Sequence, residues 1–323
     1  MALTILLLVI GFILLIKGAD YLVKGASSLA KKFDVSELVI GLTIVAFGTS
    51  TPELIVSIVS STKGLNEVAF GNVIGSNVFN LFFILGVSGL IYPIVVERST
   101  IRNEIPFSLL ATLLLLILAN DNALWGEENL FSRIDAIILL VFFVAFLIYA
   151  FKSQKTEQEI GMDPMVIPKP EKGYSLPIMI LMIVGGLAGL VFGGQLVVDN
   201  AVVIARSFNL SDKLIGLTII AAGTSLPELA TSAVAAFKKN SDIAIGNVVG
   251  SNIFNILFIL SVSGLIQPMS YNSVLNEDLY VVIAGTVLLF ILFLGKSRKL
   301  TRGEAAVLLA GYIIYLFYLI WRE

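Results

Sequence analysis

The 323-residue sequence contains neither cysteine nor histidine. The missing cysteines exclude disulfides, thiolate metal sites and cysteine nucleophiles, and the missing histidines remove the commonest metal ligand and general base. Charge is also scarce, because Asp, Glu, Lys and Arg make up 14% of the residues, whereas 57% are hydrophobic. Since soluble domains are usually about 25% charged, an ordinary soluble protein is excluded. Any chemistry has to use carboxylates and oxygen ligands, and nothing suggests a nucleic-acid partner.

Hydrophobic runs of membrane-spanning length recur along the whole chain and predict an all-α integral membrane protein with ten transmembrane helices. We expect these helices near residues 2–28, 37–62, 67–93, 104–119, 134–151, 175–204, 211–237, 242–267, 278–295 and 305–321. Residues 152–174 hold several charges and three prolines, which is typical of a solvated linker between two halves, residues 1–151 and 175–323. The connections leave no room for a soluble catalytic domain.

The two halves are copies of one another. GLTIVAFGTSTPEL, which begins at Gly41, returns as GLTIIAAGTSLPEL at Gly216, and FGNVIGSNVFN at Phe70 returns as IGNVVGSNIFN at Ile245, both 175 residues later. Residues 41–93 and 216–268 are identical at 32 of 53 positions without a gap. Because each copy has an odd number of predicted spans, the copies should insert with opposite topology, as two inverted five-helix repeats.

Basic residues predict the orientation of the chain. With the N-terminus outside, the cytoplasmic loops hold 15 lysines and arginines, against five in the outer loops. Cytoplasmic loops carry the excess of positive charge in multi-pass membrane proteins. We therefore expect a protein of the cell membrane with both termini outside and the linker in the cytoplasm.

Two glutamates, Glu53 and Glu228, lie in the middle of apolar spans at equivalent places of the two copies. A carboxylate at that depth costs several kcal/mol unless it finds partners, so such residues are functional by default. Each follows a proline, which removes one helix hydrogen bond, and a Gly-Thr-Ser triplet that suits an interrupted helix. An interrupted helix frees oxygens that can coordinate cations. The alternative is a proline kink whose glutamate snorkels to the surface or stays protonated.

The second duplicated motif, G-N-V-[IV]-G-S-N-[VI]-F-N, places a serine and an asparagine four residues apart on one helix face. These candidate ligands are Ser76, Asn80, Ser251 and Asn255. The glycines of the motif favour close helix packing. The other asparagines could form hydrogen bonds between helices or contact an ion, and the pattern leaves both open: Asn72, Asn77, Asn247 and Asn252.

The candidate ligands are all oxygens, two of them carboxylates. Hard cations such as Ca²⁺ bind roughly six to eight oxygens, and Na⁺ accepts the same ligand type. Two glutamates would balance one Ca²⁺ or two Na⁺, so the two ions should compete.

The paired GTS[TL]PE and GNV[IV]GSN[VI]FN motifs resemble the two alpha-repeats of the sodium/calcium exchanger family, within the cation/calcium antiporters. The resemblance implies ten transmembrane helices, with the ion site formed by the second, third, seventh and eighth. It implies that Glu53 and Glu228 are the central ligands of transported Ca²⁺ and Na⁺, without a cofactor. The residues that it places around them are Thr49, Ser50, Thr224, Ser225, Ser76, Asn80, Ser251 and Asn255, with the backbone oxygens of Ala46 and Ala221. The absence of a large cytoplasmic loop suggests a minimal, prokaryote-like member.

One position departs from the family pattern, because many members carry an aspartate where this chain has Asn80 or Asn255. The stoichiometry and any role of protons or K⁺ therefore stay open. We expect an antiporter of Ca²⁺ and Na⁺, with an H⁺-coupled or K⁺-dependent Ca²⁺ antiporter as the alternative. An intramembrane hydrolase would lack a nucleophile and base, and a channel fits inverted repeats less well. The prediction is thus a transporter in a lipid bilayer, not an enzyme, with protein partners unknown and a monomer compatible.

Overall fold

The computed structural model describes residues 2–122, 128–159, 174–208, 221–295 and 298–322. We number its helices α1 (Ala2–Phe33), α2 (Glu37–Thr49), α3 (Thr51–Thr62), α4 (Asn66–Ile91), α5 (Thr100–Leu118), α6 (Arg133–Glu159), α7 (Leu176–Ser207), α8 (Ala221–Gly223), α9 (Leu226–Phe237), α10 (Ser241–Ile266), α11 (Asn276–Phe293) and α12 (Arg302–Arg322).

The described residues form an all-helical, multi-pass architecture. Eight of their helices are long and apolar enough to cross a membrane, and α2 with α3 adds a ninth span that is bent by 47°. The predicted span at 211–237 is described only from residue 221, where it includes α8 and α9, and residues 211–220 lie outside the described part. The count of ten therefore stays a prediction.

Three predicted helix ends differ from the structure by four residues or more. Helix α1 ends at Phe33 instead of 28. Helix α5 begins at Thr100 instead of 104, and α6 ends at Glu159 instead of 151, so it continues into the segment that we expected to be linker. Helix backbone satisfies its own hydrogen bonds in water as well as in lipid, so a helix can extend beyond the apolar run that hydropathy detects. The remainder of that segment, residues 160–173, lies outside the described residues.

Two short strand pairs connect the halves, and the sequence analysis does not predict them. Strand β1 (Ile94–Val95) pairs antiparallel with β4 (Lys299–Leu300), and β2 (Leu130–Phe131) pairs antiparallel with β3 (Met269–Ser270). Two-residue strands are too short to produce the alternating hydrophobic pattern by which strands are recognised.

Burial separates inner helices from outer ones. In α10, 94% of the most apolar 18-residue window is buried, and in α4 72% is, compared with 22% in α1 and 17% in α12. The outer helices keep large apolar side chains exposed, as expected of a surface that faces lipid. The duplicated asparagine motif therefore lies on the two most buried of these helices.

Helices α1 and α7 pack against each other through glycines. A Cβ added to Gly186 would lie 2.7 Å from the backbone nitrogen of Leu22 and 2.8 Å from the carbonyl oxygen of Gly18. Small residues let two helix backbones approach this closely, which is a main source of helix association in membranes. The first helix of each half thus forms one tight pair on the outside of the bundle.

We predict that Gly186→Ala destabilises the protein by about 1–3 kcal/mol, because the added methyl group collides with backbone that cannot turn aside. The midpoint of thermal unfolding in detergent should fall. Gly185→Ala is the matched control, since nothing lies within 4 Å of its added Cβ. An equal loss of stability in both variants would contradict the proposed packing.

Candidate functional site

The two buried glutamates lie at helix breaks. Helix α2 ends at Thr49 and α3 begins at Thr51, which places Pro52 and Glu53 in the first turn of α3. Proline suits this position because the first helical N–H groups have no partner within the helix. Glu228 occupies the equivalent first turn of α9, after Pro227. The predicted interruption is therefore a true break at the first site, and the second half has the same arrangement after Ser225.

Each glutamate is held by a serine of the other half. Ser225 Oγ donates to Glu53 Oε1 at 2.9 Å, and Ser50 Oγ donates to Glu228 Oε1 at 2.9 Å. Glu53 is fully buried and Glu228 is 1% exposed. The two carboxylates thus lie in one buried polar region, although 175 residues separate them in the sequence.

The carboxylates have no cationic partner among the described residues. The ion pairs of that part of the chain involve other side chains. Each glutamate instead lies at a helix N-terminus, where the helix dipole stabilises negative charge. A charge buried in a membrane without a counter-ion is costly, so a bound cation would relieve the part of that cost that the helix dipole and the serine donors do not offset.

The serines of the asparagine motif differ between the halves. Ser76 Oγ lies 3.4 Å from Glu53 Oε1 and 3.0 Å from the Ser225 hydroxyl, whose proton is already given to Glu53. Ser251, its equivalent, is fully buried and lies near the Glu228 carboxylate, but its Oγ forms no hydrogen bond among the described residues. The structure therefore places Ser76 beside Glu53 and leaves the hydroxyl of Ser251 available to a ligand.

The threonines contact asparagines of the other half. Thr49 Oγ1 donates to Asn247 Oδ1 at 3.0 Å, and Thr224 Oγ1 lies 3.4 Å from Asn72 Oδ1. Asn247 also donates to the backbone oxygen of Glu228 at 3.2 Å. Asn72 does the same to Glu53 at 3.1 Å. For these two asparagines, the structure favours the hydrogen-bonding role.

Two serines of this network are absent from our predictions. Asn72 donates to Ser57 Oγ at 3.0 Å, and Asn247 donates to Ser232 Oγ at 2.9 Å. Each serine lies four residues after a glutamate and recurs at the 175-residue offset. That repetition is a signal that could have identified them.

The remaining four asparagines of the motif are hydrogen-bonded to one another between α4 and α10. Asn80 Nδ2 donates to Asn252 Oδ1 at 2.9 Å, and Asn255 Nδ2 donates to Asn77 Oδ1 at 2.9 Å. Asn77 and Asn252 each donate to the backbone oxygen of the other, at 3.2 and 3.4 Å. All four side chains are at most 1% exposed.

Several buried oxygens of the predicted ligands have no hydrogen-bond partner among the described residues. They are Glu53 Oε2, Glu228 Oε2, Asn80 Oδ1, Asn255 Oδ1 and Ser251 Oγ. Buried polar atoms are nearly always paired, so an unpaired set that repeats across two halves calls for an explanation. A cation that accepts oxygen ligands supplies one.

The two backbone oxygens that the resemblance implies are less well defined. The Ala46 carbonyl already accepts from Ser50 N at 3.0 Å and lies 3.3 Å from Thr49 Oγ1. Ala221 begins α8, directly after residues that lie outside the described part. Their role as ligands stays a prediction.

The motif glycines of α10 have a packing role. A Cβ on Gly250 would lie 2.7 Å from the carbonyl oxygen of Leu42, and one on Gly246 would lie 2.8 Å from that of Leu38. These glycines let α10 approach α2 closely, next to the helix break.

Comparison with known protein families agrees with the resemblance. The family model described as "Sodium/calcium exchanger protein" matches residues 3–152 and 178–321. This chain is 39% identical to the putative antiporter CaxA of Alkalimonas amylolytica, over 90% of this chain and 91% of that protein. It is 30% identical to the sodium/calcium exchanger MaX1 of Methanosarcina acetivorans, over 98% of each chain.

A solved structure has the same fold. The sodium-calcium exchanger NCX_Mj, soaked with zero Na⁺ and Ca²⁺, matches 98% of this chain and 99% of its own, with a TM-score of 0.80 and 33% identity. A second structure of that exchanger, soaked with 10 mM Na⁺ and zero Ca²⁺, also matches with a TM-score of 0.80 and covers 97% of each chain.

We predict that Ser225→Ala weakens Ca²⁺ binding by about 10-fold or more, because outer partners of metal ligands typically contribute 10- to 100-fold in affinity. The variant loses the donor that orients Glu53 and the contact to Ser76. Equilibrium binding of ⁴⁵Ca²⁺ to the purified protein measures the effect. The control is Ser270→Ala. The Ser270 hydroxyl accepts a hydrogen bond from the Asn66 amide and lies away from the glutamates. Equal affinities in the two variants would refute the orienting role.

Proposed function

Because this chain belongs to the sodium/calcium exchanger family, we propose that it exchanges Ca²⁺ for Na⁺ across the cell membrane as a secondary antiporter. The observation that carries this proposal is the pair of buried glutamates, each with one oxygen held by a serine and the other unpaired. The ions are the substrates, and the family is one of membrane transporters, not of enzymes.

The proposed ion site is built around Glu53 and Glu228. Their free oxygens, with the amide oxygens of Asn80 and Asn255 and the Ser251 hydroxyl, would supply five ligands. Ca²⁺ usually takes about six to eight. The hydroxyl groups of the Thr-Ser pairs and Ser76, the backbone oxygens of Ala46 and Ala221, and water would complete the shell. The Thr-Ser pairs are Thr49, Ser50, Thr224 and Ser225.

Charge balance explains why exchange is coupled. Two ionised carboxylates are neutralised by one Ca²⁺ or by two Na⁺, so each cargo occupies the site at the expense of the other. Among the described residues, no lysine or arginine forms an ion pair with either glutamate, so no side chain competes with the ions to neutralise the carboxylates. An empty, doubly charged site is the costliest state in a membrane, which disfavours a change of access without cargo.

We propose alternating access by motion of α1 and α7 across the inner helices, in two inverted repeats. The contacts that support this lie on α7, where Leu187 packs on Gly48 and Val198 packs on Gly223. A single outer helix thus covers the residues next to both helix breaks. The excess of basic residues in one set of loops supports an orientation with both termini outside.

The alternative candidate is a Ca²⁺ antiporter that is coupled to H⁺ or depends on K⁺. The observation that favours it is the pair of asparagines at positions 80 and 255, which leaves two ionisable groups in the site. A glutamate can exchange a cation for a proton, so proton coupling would require no further residue.

We predict that Glu53→Gln and Glu228→Gln each abolish exchange, because the neutral amide removes half of the charge that binds cargo. The measurement is ⁴⁵Ca²⁺ uptake into Na⁺-loaded vesicles. Glu67→Gln, which changes an exposed glutamate bonded to Asn272, should retain uptake. Wild-type uptake by either buried variant would show that the site is assigned wrongly.

Coupling is tested by imposing gradients of Na⁺, K⁺ and H⁺ one at a time in the same vesicles. We expect an outward Na⁺ gradient to drive ⁴⁵Ca²⁺ uptake and the K⁺ and H⁺ gradients to leave it at background. Uptake driven by a pH gradient without Na⁺ would favour the H⁺-coupled alternative, and a requirement for K⁺ would favour the K⁺-dependent one.

A further inference from the structure

The four asparagines between α4 and α10 have a fixed hydrogen-bond direction. The backbone oxygen of Asn252 can only accept, so the group of Asn77 that faces it at 3.2 Å is the NH₂. The side-chain oxygen of Asn77 therefore points the other way, where it accepts from the NH₂ of Asn255 at 2.9 Å. The oxygen of Asn255 is left as the unpaired end of the series.

A second series runs in the opposite direction. The backbone oxygen of Asn77 faces the NH₂ of Asn252 at 3.4 Å, and Asn252 Oδ1 accepts from the NH₂ of Asn80 at 2.9 Å. The unpaired end is Asn80 Oδ1. Each series begins at a main-chain carbonyl that cannot become a donor, so the orientation of every amide follows without reference to any bound ion.

We propose that Asn77 and Asn252 are positioning residues for the cation site. They hold Asn255 and Asn80 so that each presents its carbonyl oxygen, and not its NH₂, to the cation. This inference rests on the proposed function, because it takes these two oxygens as ligands. The two ends of an asparagine amide are nearly the same size, and only the carbonyl oxygen attracts a cation, so the hydrogen bonds to the NH₂ group decide which end faces the site.

The arrangement makes each ligand depend on the opposite half of the chain. Asn255 in the second half is oriented by Asn77 in the first, and Asn80 in the first half is oriented by Asn252 in the second. The π-helical segments that carry the ligands, Phe79–Ile84 and Asn255–Ile259, also pack against the helix of the other half that bears a glutamate. Both amide ligands are therefore set correctly only while α4 and α10 stay in contact.

The test is a double-mutant cycle on equilibrium ⁴⁵Ca²⁺ binding by the purified full-length protein. Asn77→Leu should weaken binding by about 10-fold, as removal of outer partners of metal ligands does. In an Asn255→Ala background, the same change should weaken binding by less than about twofold, since the ligand that it orients is gone. In an Asn80→Ala background it should keep its full effect. Likewise, Asn252→Leu should weaken binding by less than about twofold in an Asn80→Ala background and should keep its full effect in an Asn255→Ala background.

Asn120→Leu is the matched control. Asn120 and Asn276 form a reciprocal amide pair across the halves, with bonds of 3.0 and 2.7 Å, at the ends of α5 and α11. This variant should lower the midpoint of thermal unfolding and leave Ca²⁺ affinity unchanged. If Asn77→Leu does not fold, Asn77→Ser replaces it in the cycle.

The proposal is overturned if Asn77→Leu weakens binding equally in the wild-type and Asn255→Ala backgrounds, or does not weaken it at all. Glu53→Gln and Glu228→Gln are measured in the same series. Undiminished binding by these variants means that the proposed site is wrong. If these variants lose binding but the asparagine substitutions act independently of one another, only the positioning role is wrong.

Discussion

A carboxylate in the interior of a membrane needs a partner, and neither Glu53 nor Glu228 has a cationic side chain beside it in the described part of the chain. The rest of the central structure can be understood from this constraint. Both glutamates lie at helix N-termini, whose unpaired N–H groups favour negative charge. Serines hold one oxygen of each and leave the other available. Because the protein itself does not neutralise the carboxylates, a transported cation or a proton has to do so.

Many hydrogen bonds of the polar network around the glutamates join the two halves. Ser50 reaches Glu228, Ser225 reaches Glu53, and Thr49 reaches Asn247. Two copies of a motif could have produced two separate polar regions, but these crossed contacts bring both glutamates into one. The consequence is mechanical as well as chemical, since a shift between the halves would alter the surroundings of both carboxylates together.

Buried polar networks are tolerated only when nearly every group has a partner. Around the glutamates, most of the hydroxyl and amide groups are paired, and the oxygens that stay unpaired there include those of Asn80, Asn255 and Ser251, which we propose as ligands. A transport site also has to release its ion, so binding must not be too strong. Neutral amide and hydroxyl oxygens fit that requirement better than further carboxylates would, and no group of three or more acidic residues converges in the described ranges.

Sequence patterns alone identified a multi-pass membrane protein, the duplication and the two glutamates of the apolar spans, and they predicted ligands made of oxygen atoms only. These follow from composition, from hydropathy over about 20 residues and from repetition, all of which can be read along a single chain. The sequence also predicted the helix interruption, because Pro52 cannot continue the hydrogen bonds of the preceding turn. It did not predict where α1 and α6 end, where α5 begins, or the two strand pairs.

Helix packing sets which hydroxyl holds which carboxylate, which serine of the asparagine motif is hydrogen-bonded, and which way the asparagine amides face. Sequence spacing identifies residues that share a helix face, but it says nothing about which face of another helix lies opposite. Except for Ser76 and Glu53, the partners in these contacts are separated by roughly the length of one repeat. Their distances and directions depend on how α4 and α10 pack, which is a property of the whole bundle.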